Sequence, residues 1–197
     1  MRKFSSKKIA QTDYHGKNEP LRFILSFIIL FPLFYYFNLF FFSITASKGH
    51  HYNVFLDSHL NYIRGLRWLL LQSSAQILNW LGFAAITNEY DLLVAGHGTL
   101  KLIYSCLGLG VISFFAAFVI SYPKTLKSKV IFLITGILVI EFLNTVRFVV
   151  LAILLNKQHT MILDHHTVFN IIIYLVIAIS LYFWVKQKDN TTVNEAN

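Results

Sequence analysis

"VIFLITGILVIEFLNTVRFVVLAILL" (130–155) is an apolar run whose only charged residues are Glu141 and Arg147. Its length exceeds the roughly 20 residues that a helix needs to cross a bilayer, so it reads as a membrane span with Glu141 mid-span and Asn144 and Arg147 just beyond it. The rest of the chain agrees. Of 197 residues, 56% are hydrophobic and 13% charged, too little polar surface to coat a soluble globule. Lys and Arg number 17 against 9 Asp and Glu, and the excess lies largely outside the apolar runs, which marks membrane topology. No basic patch is interleaved as in a nucleic-acid module, so nucleic acid is not an expected partner, whereas membrane lipid is.

Three further runs are expected to span: 21–42, 102–122 and about 167–185. The first is too long for a signal peptide and lacks a clear A-x-A cleavage site, so it reads as an anchor. Basic residues precede the first span, fill the 124–129 link "KTLKSK" and follow the last span as "KQK". Placing all three inside gives four spans with both termini cytoplasmic, and puts 43–101 and 156–166 outside. Residues 59–86 are apolar but interrupted by Arg64, Arg67, Gln72, Gln76 and Asn79, and read as an outer-face amphipathic or re-entrant helix or an extra span. Gly96-His97-Gly98 between two β-prone runs predicts a hairpin that delivers Cys106 to the second span. The expectation is an all-α integral membrane protein, a bundle of four to five transmembrane helices. It divides into a basic segment (1–20), one membrane domain (21–188) and a polar, disordered tail (189–197).

This topology brings Cys106, Arg147 and the pair His165-His166 to one depth from three distant stretches. Each has an ordinary reading alone: Cys106, the only cysteine, as a buried hydrophobe, Arg147 as a snorkelling cation, and Asp164-His165-His166 as a helix cap. Together, a thiol, a base and a cation are what nucleophilic acyl transfer requires. Gly108 and Gly110 either admit a substrate backbone or let helices pack closely. Asn144, three residues before Arg147, shares its face and is suited to orient the guanidinium or a substrate carbonyl. Glu141 lies about one and a half turns from Arg147, off its face. It is either functional, the default for an intramembrane carboxyl, or neutral and hydrogen-bonded to a neighbouring helix. The one cysteine excludes an internal disulfide and a Cys-based zinc cluster, and the histidines lack the H-E-x-x-H pattern, so neither a metal nor any other cofactor is expected. A non-catalytic assembly or transport factor, with a His-rich outer loop binding a partner or metal, is the alternative.

Cys106-Leu107-Gly108, "YPKTLKSK" (122–129), "EFLNTVRFVVL" (141–151) and "DHHTVFNIIIYLVIAISLYFW" (164–184) occur in an order that resembles the exosortase/archaeosortase family of membrane transpeptidases. The resemblance runs from about Gly82 to Trp184. Asp57 and the first anchor are similar to compact stand-alone bacterial members. It implies a Cys-Arg-His site on the outer face of the bacterial cytoplasmic membrane, which cleaves a C-terminal sorting signal of exported client proteins and transfers the new carboxyl end to an acceptor. Carried over by motif, the nucleophile is Cys106, the arginine is Arg147 and the histidine is His166, with His165 as the alternative. His166 is preferred because it stands four residues before Asn170, where the family usually has a small residue. A second glycine, Gly110, departs from the family's common Cys-x-Gly pattern and leaves the substrate groove unspecified.

Overall fold

The computed structural model describes residues 6–46, 52–154 and 165–187, with side chains from Pro20 onward in the first segment and from Phe169 onward in the last. In chain order the elements are α1 (Ser6–Thr45), α2 (Val54–His59), α3 (Tyr62–Trp80), β1 (Ala85–Thr87), β2 (Asp91–Val94) and β3 (Gly98–Lys101). A 3₁₀ turn (Tyr104–Leu107) then leads into α4 (Leu109–Ser121), α5 (Leu126–Leu154) and α6 (His165–Lys186). Three described helices are long and apolar enough to cross a membrane: Pro20–Thr45, Leu126–Leu154 and Phe169–Lys186. They match the expected spans 21–42, 130–155 and 167–185 to within a few residues, and α1 continues back to Ser6 as one helix through Pro20.

The expected span 102–122 differs. Only Leu109–Ser121 is helical, 13 residues, or about 20 Å at 1.5 Å per residue, against roughly 30 Å of bilayer hydrocarbon. The cause is Gly108, whose φ of 69° takes the left-handed conformation and separates the 3₁₀ turn from α4. Segment 59–86 also resolves differently. Asn61 caps α3 by accepting from the Arg64 amide at 2.9 Å, and Gly82, at φ 89°, ends the helix just past Trp80. The remainder becomes β1, held by Asn79, whose side chain accepts from Ala85 N and donates to Ala85 O. One face of α3, including Ile63, Leu70, Leu71 and Leu78, is buried, while Trp68 and Leu69 are exposed.

The expected hairpin is β2–β3, antiparallel with Val94 opposite Gly98. Gly96 and Gly98 supply the positive φ that its reversal needs. The sequence reading did not anticipate β1, which adds antiparallel to β2 and makes a sheet of order β1-β2-β3. Ala85, Leu92 and Val94 turn inward and join Ile63, Leu70, Leu78, Leu107, Phe148 and Ala152 in one core. A second core gathers Phe115, Val119, Ile140, Ile173, Ile177 and Trp184 between α4, α5 and α6.

Aromatic edges fasten α1 to α4. Phe23 meets Phe118 with centroids 5.2 Å apart at 77°, and Phe27 meets Phe114 at 5.4 Å and 88°, the edge-to-face geometry that aromatic quadrupoles favour. A polar chain crosses the same interface. Tyr62 O–H donates to Asn38 Oδ1, Asn38 Nδ2 donates to Ser113 Oγ at 3.1 Å, and Ser113 Oγ donates to Leu109 O at 2.7 Å. Two helices, α1 and α3, are thereby tied to the start of α4. Asn38→Leu is expected to lower the unfolding midpoint in detergent, by about 1 kcal/mol, the scale of interhelical hydrogen bonds in membrane proteins. An unchanged midpoint would show that the aromatic contacts alone hold α1.

Candidate functional site

The segment from β3 to α4 fixes where the thiol sits. Leu102 N donates to Tyr90 O at 2.8 Å, extending the sheet's pairing by one bond, and Cys106 N then donates to Ile103 O at 2.9 Å within the 3₁₀ turn. Cys106 is 5% exposed and belongs to the core shared with α3 and α5. The N-cap of α4 is Gly108, which has no side chain to cap the first-turn amides.

Helix register shows what faces this turn. A Cβ on Gly108 would overlap the Asn144 amide, and one on Gly136 would overlap the Phe115 ring. These two contacts step in opposite directions along α4 and α5, as an antiparallel pair requires, so the Cys106 turn stands beside the part of α5 that carries Asn144 and Arg147. Arg147 is 5% exposed and its Nη1 donates to Asn170 Oδ1 on α6 at 3.0 Å. At the opposite end Trp184 stacks on Phe132 at 4.6 Å and 3°, its Nε1 donates to Ser128 Oγ, and Lys124 Nζ donates to the carbonyls of Trp184 and Gln187. Stepping from Phe132 to Arg147 along α5 thus matches stepping from Trp184 to Asn170 along α6.

The backbones of His165 and His166 form the first turn of α6. His166 is one turn from Asn170, about 6 Å along the axis. The side chains of both histidines lie outside the described residues, as do Asp164, His159, His50 and His51. The structure therefore joins Asn144 to the Gly108 turn and Arg147 to Asn170.

For the two glycines the alternatives separate. Gly108 is required by its own backbone and by Asn144, while a Cβ on Gly110 would make an ordinary contact with Tyr35 of α1, at 3.6 Å. Both serve packing. Glu141 is buried and neither carboxyl oxygen has a hydrogen-bond partner among the described residues, so the expected bond to a neighbouring helix is absent there. Asp57 accepts from Tyr52 O–H at 2.7 Å and Asn61 Nδ2 at 2.7 Å, and the bonds from Asn61 and Tyr52 hold its carboxyl below the usual range. That is a loop-fastening role. No three His, Cys, Asp or Glu residues stand together as a metal site among the described residues.

Three polar groups carry more than the sequence reading assigned them. Arg67 is 8% exposed on the inner face of α3, its guanidinium 4.3 Å from the Tyr90 ring centroid, a cation–π contact that offsets part of the burial cost. Asn38 links three helices, and Asn170 partners the site arginine. Each was visible as a polar residue inside an apolar stretch, the pattern that marks a buried partner in a membrane bundle.

No curated protein and no solved structure matches the chain. The family model described as transmembrane exosortase matches residues 23–184. That stretch includes α1 from Phe23 onward, α3 with the sheet, the cysteine turn and all but the last residues of α6, so the match takes in the whole arrangement around Cys106 and Arg147. The chain belongs to the transmembrane exosortase family.

Proposed function

We propose that this protein is a membrane-embedded cysteine protease and transpeptidase, which cleaves C-terminal sorting signals of exported clients at the outer face of the bacterial cytoplasmic membrane. Family membership supports a role in sorting. The observation that carries the catalytic reading is the pair of contacts Gly108–Asn144 and Arg147–Asn170, which set the cysteine turn and the arginine at the end of the bundle where α6 begins with the backbones of His165 and His166.

In this mechanism the Cys106 thiol gives its proton to His166, with His165 the alternative base. The thiolate attacks the client carbonyl carbon, and charge collects on the carbonyl oxygen. Arg147 stabilises that charge, and the amide-rich start of α4 adds to it. The histidine returns its proton to the departing amine, leaving a thioester on Cys106, which an acceptor nucleophile resolves. Lys124, Lys127 and Lys129 in the α4–α5 link, and Lys186 at the end of α6, favour the cytoplasmic side for the far end of the bundle. Expected clients are exported proteins that end in a short motif, an apolar helix and a basic tail.

Arg147→Lys tests the guanidinium. Lysine keeps the charge but not the planar fork that reaches Asn170 and an oxyanion together. Client cleavage in cells, normalised to enzyme in the membrane fraction, is expected to fall about tenfold to a hundredfold. Wild-type cleavage by the lysine variant would leave Arg147 no role beyond its charge.

A further inference from the structure

Among the described residues, Glu141 is the carboxyl group within the spanning helices, and the mechanism above has no use for it. It is 9% exposed, and among the described residues neither carboxyl oxygen has a hydrogen-bond partner. A carboxyl at such a position is costly, and membrane proteins keep one where it serves a function. Asn144 follows one turn later on α5, also buried, with Nδ2 likewise unpartnered. The Asn144 amide is the polar neighbour of the Glu141 carboxyl, and its Nδ2 is the atom nearest to where a Cβ of Gly108 would stand. Nδ2 therefore lies between the carboxyl and the cysteine turn.

A primary amide is nearly symmetric in shape but not in polarity, with two donors on nitrogen and an acceptor on oxygen. Turning it over exchanges these at small steric cost, so its neighbours' polarity selects the orientation. Gly108 selects neither. Glu141, one turn before Asn144, offers carboxyl oxygens as acceptors, and in the proposed arrangement the ionised carboxyl draws nitrogen towards itself, so that the second N–H faces the turn two residues beyond the thiol.

We propose that Glu141 is a positioning residue of the thiol site: it orients the Asn144 amide so that Nδ2 presents a donor to the oxyanion formed when Cys106 is acylated. The inference rests on the acyl-transfer reading. As the carbon–sulfur bond forms, the carbonyl π electrons move to oxygen, which accepts the Nδ2 hydrogen bond. They return when the leaving group departs.

Two reagents on the full chain in detergent micelles separate this role from packing. p-Nitrophenyl acetate acetylates the thiolate through a tetrahedral oxyanion and releases p-nitrophenolate. Iodoacetamide alkylates it by displacing iodide and forms no oxyanion. In Glu141→Leu, acetylation of Cys106, read by intact mass, is expected to slow about tenfold or more, with alkylation within about twofold of wild type. Glu141→Gln, whose Oε1 accepts the same N–H, is expected to acetylate within about threefold of wild type, and Asn144→Ala to slow as Glu141→Leu does. The double variant is expected to be no slower than Asn144→Ala alone, since both changes remove one oriented donor. Equal slowing with both reagents, unchanged acetylation, or additive losses in the double variant would overturn the inference. If Glu141→Leu does not insert, unchanged acetylation in Asn144→Ala overturns it. If wild-type Cys106 takes up neither reagent, the acyl-transfer reading falls and this inference falls with it.

Discussion

Cys106→Ala is expected to abolish client cleavage, a loss on the order of 10⁴-fold or more, the scale seen when a covalent nucleophile is removed. Packing gives a different expectation. Cys106 is buried in the core with Leu107, Phe148 and Ala152, and replacing a small buried side chain by alanine there costs only about 1 kcal/mol. The two readings thus diverge by orders of magnitude in cleavage while agreeing that the variant folds. The measurement is the ratio of cleaved to full-length client in cells, with enzyme abundance in the membrane fraction as control. Normal cleavage by a Cys106→Ala protein would sink the enzymatic reading and leave the non-catalytic assembly factor standing. A wild-type thiol that covalently traps client, lost in the variant, would add the intermediate itself.

Gly108→Val is expected to remove both stability and activity. At φ 69° a non-glycine residue, and a β-branched one above all, costs about 1–2 kcal/mol for the left-handed conformation alone. The added side chain would then overlap the Asn144 amide, an overpacking penalty of about 1–3 kcal/mol. Together these come to about 3 kcal/mol, a large share of the stability of a domain this size. Whatever fraction folds carries a displaced Asn144, so cleavage per folded molecule is also expected to fall. Gly110→Ala is the internal comparison, since its Cβ meets only an ordinary contact with Tyr35. If Gly108→Val melts and cleaves as Gly110→Ala does, the turn does not depend on the glycine.

Much of the arrangement was legible along the chain because hydropathy is a one-dimensional signal. The run 130–155 is too long and apolar to be anything but a spanning helix, and α5 occupies it almost end to end. Gly96 and Gly98 announced the hairpin through the backbone angles that glycine tolerates. By contrast, "AIT" at 85–87 has no pattern that separates it from the end of an apolar helix. It becomes a strand because Asn79 takes both backbone groups of Ala85 and β2 offers an edge. The start of α4 lies later than hydropathy predicts for a similar reason: residues 102–108 are as apolar as a helix, but Leu102 pairs with Tyr90 of the sheet and Gly108 is left-handed beside Asn144.

The site divides the same way. Alternation of spans and basic links was enough to expect Cys106, Arg147 and the histidines at one end of the molecule, because a helix that enters a bilayer must leave it on the other side. Which polar group faces which was beyond the sequence, since apolar runs encode depth but carry no rotational mark when nearly every face is apolar. That Arg147 turns to Asn170 and Asn144 to Gly108 follows from how α4, α5 and α6 interlock, with the Phe115 ring against Gly136 and Trp184 on Phe132 setting the register. Membrane insertion was determined by composition and span length. The rotation of each helix, and with it the pairing of every buried polar side chain, was decided by close packing between helices.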